Sequence, residues 1–148
     1  MLNTSLTIFL ADDDAEDRML VQQAFEALGL LIDLKEFDNG VSLMDSLLNK
    51  EIPLPNAIYL DLNMPLMNGE ECLTDIRYEP GLSNIPIIIY SSYLDGMKAD
   101  LLKQKGANLY LVKPTSFEKL KIALMKSVAY LRMPDSKERE AIDFVIQY

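Results

Sequence analysis

Short apolar runs alternate along this chain with longer segments in which apolar residues recur every three or four positions. The short runs have the length of buried strands, and the longer segments have the spacing of amphipathic helices. The runs predict five strands, at residues 6–11, 31–37, 57–60, 86–90 and 109–112. A helical segment follows each strand after a short connection. This alternation predicts an α/β fold, in which helices flank both faces of a five-stranded parallel sheet.

Capping and breaking residues mark where the predicted helices begin and end. Asp14 can cap the first helix, with Asp17 near its first turn, and Ser116 can cap the fifth. Gly29 and Gly106 are good stops for the first and fourth helices. The second to fifth helices are predicted at residues 41–49, 70–78, 94–105 and 117–131.

The C-terminal residues predict one more helix. Met133–Ser136 interrupts the fifth helix, and residues 137–148 then place several apolar residues on one helical face: Ala141, Ile142, Val145 and Ile146. A segment this short is far below the size of a domain. We therefore expect one domain over residues 1–132 and a helical extension over residues 133–148, with no output domain.

Polar side chains stand at the C-terminal ends of four of the predicted strands. They are Asp12 and Asp13 after the first strand, Asp61 after the third, Ser91 after the fourth and Lys113 after the fifth. In an open parallel sheet, ligand sites lie outside the carboxyl ends of the strands. One edge of the sheet is therefore expected to collect three carboxylates, a hydroxyl and an ammonium.

This set of side chains suits a divalent cation and a phosphoryl group. Carboxylates that are brought close together repel one another, and a divalent cation removes that conflict. Magnesium takes oxygen ligands and keeps several waters, so one or two carboxylates and a phosphate suffice to hold it. An aspartate can also act as a nucleophile and form an acyl phosphate. Lys113 and Ser91 can supply the positioning and charge neutralisation that phosphoryl transfer needs.

Composition narrows the classes of protein to which the chain can belong. Its 148 residues include 23 acidic and 14 basic ones, and the formal charge of −9 disfavours nonspecific binding to nucleic acid or anionic membranes. No histidine is present, which excludes His-based metal sites and His general bases. Cys72 is the only cysteine, so no intramolecular disulfide can form. We see no signal peptide and no apolar segment of about 18 residues, and we expect a cytoplasmic location.

In combination, these motifs resemble those of the receiver domain of two-component response regulators, over roughly residues 5–132. The motifs are the Asp12-Asp13 pair, Asp61 followed by Met64–Pro65 and Gly69, Ser91, and Lys113–Pro114. The resemblance implies a doubly wound, flavodoxin-like (CheY-like) fold with strand order 2-1-3-4-5, five flanking helices and the extra C-terminal helix. It also implies a stand-alone response regulator of a phosphorelay rather than an enzyme.

The resemblance assigns the phosphoacceptor and the metal ligands. Asp61 would take the phosphoryl group. Mg²⁺, with Mn²⁺ as an alternative, would be held by Asp13 and Asp61, by Asp12 through a water, and by the backbone carbonyl of Asn63. The chain would phosphorylate and dephosphorylate itself in a Mg²⁺-dependent manner.

The resemblance also assigns a phosphate-binding and switch set. Ser91 and Lys113 would contact the phosphoryl group, Tyr110 would be the aromatic residue that rotates inward on activation, and the Lys113–Pro114 bond would be cis. The phosphodonor would be a histidine kinase or a histidine phosphotransfer protein. The downstream partner would be a protein rather than nucleic acid or a membrane, and the chain would be a monomer or a phosphorylation-linked homodimer.

Three other functions compete with this interpretation. A pseudo-receiver would keep the fold as an interaction module without phosphorylation, and the complete acidic set with Lys113 argues against it. A magnesium phosphatase with an aspartate nucleophile typically needs a second aspartate two residues later, where Asn63 stands. A flavodoxin-like electron carrier needs a phosphate-cradling loop after the first strand, where residues 12–14 would repel a flavin phosphate.

Overall fold

Six parallel strands form one central sheet in the computed structural model, which describes residues 5–134 and 136–148. The strands are β1 (Leu6–Ala11), β2 (Ile32–Phe37), β3 (Ala57–Leu60), β4 (Ile87–Ser91), β5 (Leu109–Val112) and β6 (Val145–Ile146). Their order across the sheet is β2-β1-β3-β4-β5-β6. The first five strands follow the predicted order, whereas the prediction of a five-stranded sheet is wrong because β6 adds an edge beside β5.

Helices follow the strands and pack on both faces of the sheet. They are α1 (Ala15–Ala27), α2 (Gly40–Leu48), α3 (Gly69–Tyr78), α4 (Gly96–Gln104), α5 (Phe117–Leu131) and α6 (Ser136–Glu140). The caps predicted at Asp14 and Ser116 are confirmed, since both side chains accept hydrogen bonds from backbone N–H groups of the first turn. Within the described residues, none of these helices has both the length and the apolar character needed to cross a membrane.

The core consists of two apolar layers, one on each face of the sheet. Residues of α1 and α5 pack against one face, and residues of α2, α3 and α4 pack against the other. Every residue of β3, β4 and β5 is buried, which explains why their sequences are continuous apolar runs rather than alternating ones. The hydroxyl groups of Tyr59 on β3 and Ser127 on α5 form a buried hydrogen bond of 2.5 Å.

The C-terminal segment differs from its predicted helix over residues 137–148. Helix α6 ends at Glu140, and the chain then runs back to the sheet, where Val145 and Ile146 pair with β5. The helical spacing of the apolar residues is compatible with either structure. The open edge of β5 decides the outcome, because it offers backbone hydrogen bonds to two β-branched residues that favour strands. Ile146 is buried against the layer formed with α1 and α5.

Arg77 on α3 forms hydrogen bonds with the segments that lead into β4 and β5, at the N-terminal ends of these strands. Its guanidinium donates to the backbone carbonyls of Ser83, Ile85 and Gly106 and to the side chain of Asn108, at 2.8–3.1 Å. These bonds satisfy carbonyl groups in the segments that lead into both strands. The arginine therefore supports the fold at a distance from the C-terminal strand ends.

Candidate functional site

Three carboxylates meet at the C-terminal ends of β1 and β3. Asp12 and Asp13 follow β1, and Asp61 follows β3; one carboxylate oxygen from each lies within 4.8 Å of the other two. The strands are neighbours in the sheet, so the residues that follow them emerge side by side. Asp12 is 0% exposed and Asp61 is 5% exposed, whereas Asp13 is open to solvent. The cluster therefore has two buried members and one on the surface.

Lys113 brings a positive charge to the buried side of this cluster. Its Nζ atom lies 2.8 Å from Asp12 Oδ2, 2.9 Å from Asp17 Oδ2 and 3.8 Å from Asp61 Oδ2. Burial alone would lower the pKa of Lys113, but its contacts with Asp12 and Asp17 raise that pKa above its ordinary value. The lysine is therefore held in its charged form by the surrounding carboxylates.

The environment of Asp61 makes its carboxyl group harder to ionise than that of an ordinary aspartate. Burial raises the pKa of Asp61 to about 7; Lys113 opposes this shift, and the nearby negative charge of Asp12 adds to it. The backbone N–H of Asn63 donates to Asp61 Oδ1 at 3.4 Å. A single lysine does not compensate three carboxylates, so the cluster keeps a net negative charge when its members are ionised.

The donor set fits a hard divalent cation. All three clustered side chains offer carboxylate oxygens, which Mg²⁺ and Mn²⁺ prefer over nitrogen or sulfur. Asp12 Oδ2 is buried and accepts no hydrogen bond of good geometry, although Lys113 Nζ lies close to it. A cation held by these oxygens would remove the repulsion that the lysine leaves uncompensated.

The loop after Asp61 is packed tightly against the beginning of α3. The backbone N–H of Gly69 donates to the carbonyl of Leu62 at 3.1 Å. A Cβ atom at Gly69 would lie 2.2 Å from the backbone oxygen of Asp61, which is far inside van der Waals contact. Only glycine permits this approach. Gly69, which belongs to the predicted motif, therefore shapes the backbone that presents Asp61.

Ser91 and Tyr110 lie on the neighbouring strands β4 and β5. Ser91 is buried, and its Oγ accepts a weak hydrogen bond from the backbone N–H of Tyr93 at 3.4 Å. The Tyr110 ring is also buried, and its hydroxyl donates to the backbone carbonyl of Tyr93. All three residues line a cavity of about 300 Å³, together with Leu62, Asn63, Asn68, Glu70, Asp95 and Lys98. The loop at Tyr93 therefore links the serine to the tyrosine.

The structure corrects one prediction and adds two residues. No peptide bond among the described residues is cis, so the prediction of a cis Lys113–Pro114 bond is wrong; the trans form of an X-Pro bond is favoured by about 0.5–1 kcal/mol. Sequence reasoning identified Asp17 only as a first-turn residue of α1, and it missed Phe144, whose ring packs against Tyr110. No local pattern in the sequence marks either contact, because each joins segments that are distant along the chain.

Several known proteins that are similar to this chain in sequence or structure are named as regulators. A probable methanogenesis regulatory protein, FilR2 of Methanothrix harundinacea, is 32% identical over 117 residues, which cover 77% of this chain and 76% of FilR2. Response regulator Rcp1 of Synechocystis is 28% identical over 122 residues, which cover 80% of this chain and 83% of Rcp1. The crystal structure of the Mn²⁺-bound form of Rcp1 has a TM-score of 0.77 at 25% identity, covering 88% of this chain and 97% of that one.

Other curated relatives are much longer, and the chain spans 15% and 30% of the lengths of two of them. The family model of the response regulator receiver domain matches residues 8–125, a range that contains all the carboxylates of the site as well as Ser91, Tyr110 and Lys113. The chain therefore belongs to the response regulator receiver domain family.

Proposed function

We propose that this chain is a response regulator of a two-component or phosphorelay system that accepts a phosphoryl group on Asp61 in a Mg²⁺-dependent reaction. The observation that carries the proposal is the environment of Asp61. Its carboxylate is buried beside the carboxylates of Asp12 and Asp13, and the Lys113 ammonium lies 3.8 Å away. A nucleophile, ligands for a cation and a phosphate-binding cation are thus grouped at one strand edge.

In the proposed reaction, a carboxylate oxygen of Asp61 attacks the phosphorus of the donor. An O–P bond forms, and the bond from phosphorus to the donor's histidine nitrogen breaks, with its electron pair returning to the nitrogen. Asp13, Asp12 through a water, Asp61 and the carbonyl of Asn63 would hold the cation. When bound, that cation would neutralise negative charge on the phosphoryl oxygens. In autodephosphorylation, water attacks the phosphorus of the aspartyl phosphate, the bond from phosphorus to the Asp61 oxygen breaks, and inorganic phosphate leaves.

The remaining residues are assigned to binding the phosphoryl group. Lys113 pairs with a phosphoryl oxygen, and the Ser91 hydroxyl donates to another. Mg²⁺ is the proposed cation because it is usually bound by few protein ligands and keeps several waters in its coordination shell. Mn²⁺ is the alternative, supported by the Mn²⁺-bound form of the similar protein Rcp1.

Signalling is proposed to run from Ser91 through the Tyr93 loop to Tyr110. A phosphoryl group that draws Ser91 inward would change the hydrogen bonds at Tyr93 and so the surface formed by α4, β5 and α5. Residues 1–132 would be the receiver domain, and residues 133–148 would contribute β6 to that surface. The donor would be a cytoplasmic histidine kinase or histidine phosphotransfer protein, the target another protein, and the chain a monomer or a phosphorylation-linked homodimer.

The test is incubation with acetyl phosphate and Mg²⁺, followed by measurement of the intact mass. We expect the wild type to gain one phosphoryl group, while the Asp61→Asn variant and a sample without metal gain none. If neither acetyl phosphate nor a panel of histidine kinases phosphorylates the folded wild type, the proposal is wrong and the pseudo-receiver interpretation takes its place.

A further inference from the structure

Lys113 is in contact with two carboxylates and stands apart from a third. The distances from its Nζ atom are 2.8 Å to Asp12, 2.9 Å to Asp17 and 3.8 Å to Asp61. The lysine side chain is only 11% exposed, so water screens these contacts weakly. The ammonium is therefore held close to Asp61 but outside hydrogen-bonding distance of it.

Asp17 is separate from the metal-binding carboxylates. It lies in the first turn of α1, whereas the clustered carboxylates follow β1 and β3. Asp14 fixes this turn, because its Oδ1 accepts hydrogen bonds from the backbone N–H groups of Glu16 at 2.9 Å and Asp17 at 3.2 Å. The Asp17 side chain then accepts from Lys113, 96 residues away along the chain. The position of Asp17 is thus set by the helix cap, which is joined to the cluster where the backbone N–H of Asp14 donates to Asp12 Oδ1 at 3.0 Å.

The contact with Asp17 affects which groups can reach Asp61. Lys113 and a divalent cation are both positive, so they compete for the same carboxylate oxygens. Without the Asp17 charge, the carboxylates that remain within 4 Å of Lys113 Nζ are those of Asp12 and Asp61, and the ammonium would move into contact with Asp61. A carboxylate oxygen bonded to an ammonium is less available to a metal ion and is a poorer nucleophile.

We propose that Asp17 is a positioning residue that holds Lys113 away from Asp61, and so keeps the Asp61 carboxylate open to Mg²⁺ and to the incoming phosphoryl group. This inference rests on the function proposed above. It assigns Asp17 a part in that function although Asp17 is neither the nucleophile nor a metal ligand. The metal-binding half of the inference can be measured whether or not the chain takes up phosphate.

A matched pair of variants isolates the contact from the general effect of charge. Asp17→Ala removes the carboxylate that contacts Lys113. Glu16→Ala removes an exposed carboxylate from the same helical turn, and Glu16 makes no ion pair within residues 5–134 and 136–148. Both variants lose one negative charge and gain the same helix-favouring residue. The dissociation constant of Mg²⁺ is obtained from the rise of the unfolding temperature with Mg²⁺ concentration at fixed pH and ionic strength.

We expect Asp17→Ala to raise the Mg²⁺ dissociation constant about fivefold or more, and Glu16→Ala to change it less than about twofold. Asp17→Glu, which keeps a carboxylate on the same turn, should recover part of the loss. At saturating Mg²⁺, the cation displaces Lys113 from Asp61, so the rate of phosphorylation of Asp17→Ala by acetyl phosphate should approach that of the wild type. Equal effects of Asp17→Ala and Glu16→Ala would overturn the inference.

A double-mutant cycle with Lys113→Met then tests whether Asp17 affects Mg²⁺ binding through the lysine. If it does, Asp17→Ala should change the Mg²⁺ dissociation constant less than about twofold once the lysine is absent. An effect of the same size in both backgrounds would show that Asp17 attracts the cation directly, and the inference would be wrong. Should Lys113→Met fail to fold, Lys113→Gln provides a neutral side chain that still donates to Asp12.

Different experimental results would contradict the proposed function and the proposed role of Asp17. A wild type that binds Mg²⁺ but takes up no phosphoryl group from any donor contradicts the proposed function, while the cycle still decides how Asp17 acts on the metal site. A wild type that is phosphorylated, with Mg²⁺ binding indifferent to Asp17, contradicts only the role of Asp17.

Discussion

The ring of Phe144 packs edge-on against the ring of Tyr110, with 6.5 Å between the ring centroids and 63° between the ring planes. The backbone joins the same two residues, since the N–H of Tyr110 donates to the carbonyl of Phe144 at 2.8 Å. From α4, Lys103 Nζ lies 5.6 Å from the centroid of the Phe144 ring. The C-terminal segment thus contacts, from the edge of β5, the aromatic residue proposed to act as the switch.

Replacing Phe144 tests how firmly this segment is held. We expect Phe144→Ala to lower the free energy of unfolding in urea by about 1–2 kcal/mol, because a half-buried ring and its aromatic contact are lost. Hydrogen exchange at the Tyr110 amide should become faster. Gln147→Ala, at an exposed position of the same segment, is the control and should change neither quantity. Unchanged exchange at Tyr110 in Phe144→Ala would show that β6 stays paired without the ring.

Removing the charge of Asp61 should stabilise the metal-free protein. Burial raises the pKa of Asp61 from 3.8 to about 7 in the folded protein, with Lys113 opposing the shift and Asp12 adding to it. The folded state therefore binds a proton here more tightly than the unfolded chain does. The stability that this proton gives is complete below the unfolded pKa and is lost as the pH rises through about 7.

Urea unfolding in the presence of a chelator measures this effect. At pH 8, Asp61→Asn should have a free energy of unfolding about 1–3 kcal/mol above that of the wild type, and the difference should shrink at pH 5. Asp100→Asn, at an exposed position on α4, should differ from the wild type by less than about 0.5 kcal/mol at both pH values. A stability difference for Asp61→Asn that does not depend on pH would contradict the prediction.

Gly69 offers a test of the tight loop behind Asp61. A Cβ at this position would lie 2.2 Å from the Asp61 backbone oxygen, so Gly69→Ala should destabilise the protein by about 2 kcal/mol or more. It should also weaken Mg²⁺ binding, since the backbone that presents Asp61 must shift. Gly96→Ala, at the first residue of α4, meets no atom within 4 Å and should be neutral or slightly stabilising. Thermal unfolding with and without Mg²⁺ compares the two variants.

Arg77 should affect the fold without affecting the site. Arg77→Lys removes the forked guanidinium group, which donates hydrogen bonds to several carbonyl groups at once. We therefore expect the free energy of unfolding to fall by about 2–4 kcal/mol. Arg77 acts where β4 and β5 begin, at the other end of the sheet from Asp61. The Mg²⁺ dissociation constant of the folded variant should therefore stay within about twofold of the wild-type value. A large change in Mg²⁺ binding would reveal coupling between the two ends of the sheet.

The sequence predicted β3, β4 and β5 well because burial on both faces of the sheet produces a continuous apolar run. The runs that end before Asp61 and Lys113 are apolar throughout, the run that ends before Asp12 contains only Thr7 as a polar residue, and each stops at a charged residue. Parallel strands bring their carboxyl ends to one edge, so the grouping of these side chains follows from the alternation of strands and helices. The capped helices were predicted for a similarly local reason, since Asp14 and Ser116 bond to their own first turns.

The rest depends on interactions that leave no local pattern. Val145 and Ile146 join the sheet through backbone hydrogen bonds, which any residue but proline can form, and their spacing also suits a helix. The contact between Lys113 and Asp17 depends on how α1 is oriented against β5. The isomer of the Lys113–Pro114 bond depends on a small free-energy difference that the sequence does not decide.

Strand β6 also covers an edge of the sheet that could otherwise pair with another polypeptide chain. An open edge of parallel strand invites pairing with another polypeptide and so promotes aggregation. At the β2 edge, the exposed charges of Asp33, Lys35 and Glu36 oppose such pairing. Strand β5 has no charged residue of its own, and the short β6 covers Tyr110 and Leu111 instead. Proteolytic loss of the residues after α6 would therefore leave an apolar, unpaired strand edge, and the shortened protein would be prone to self-association.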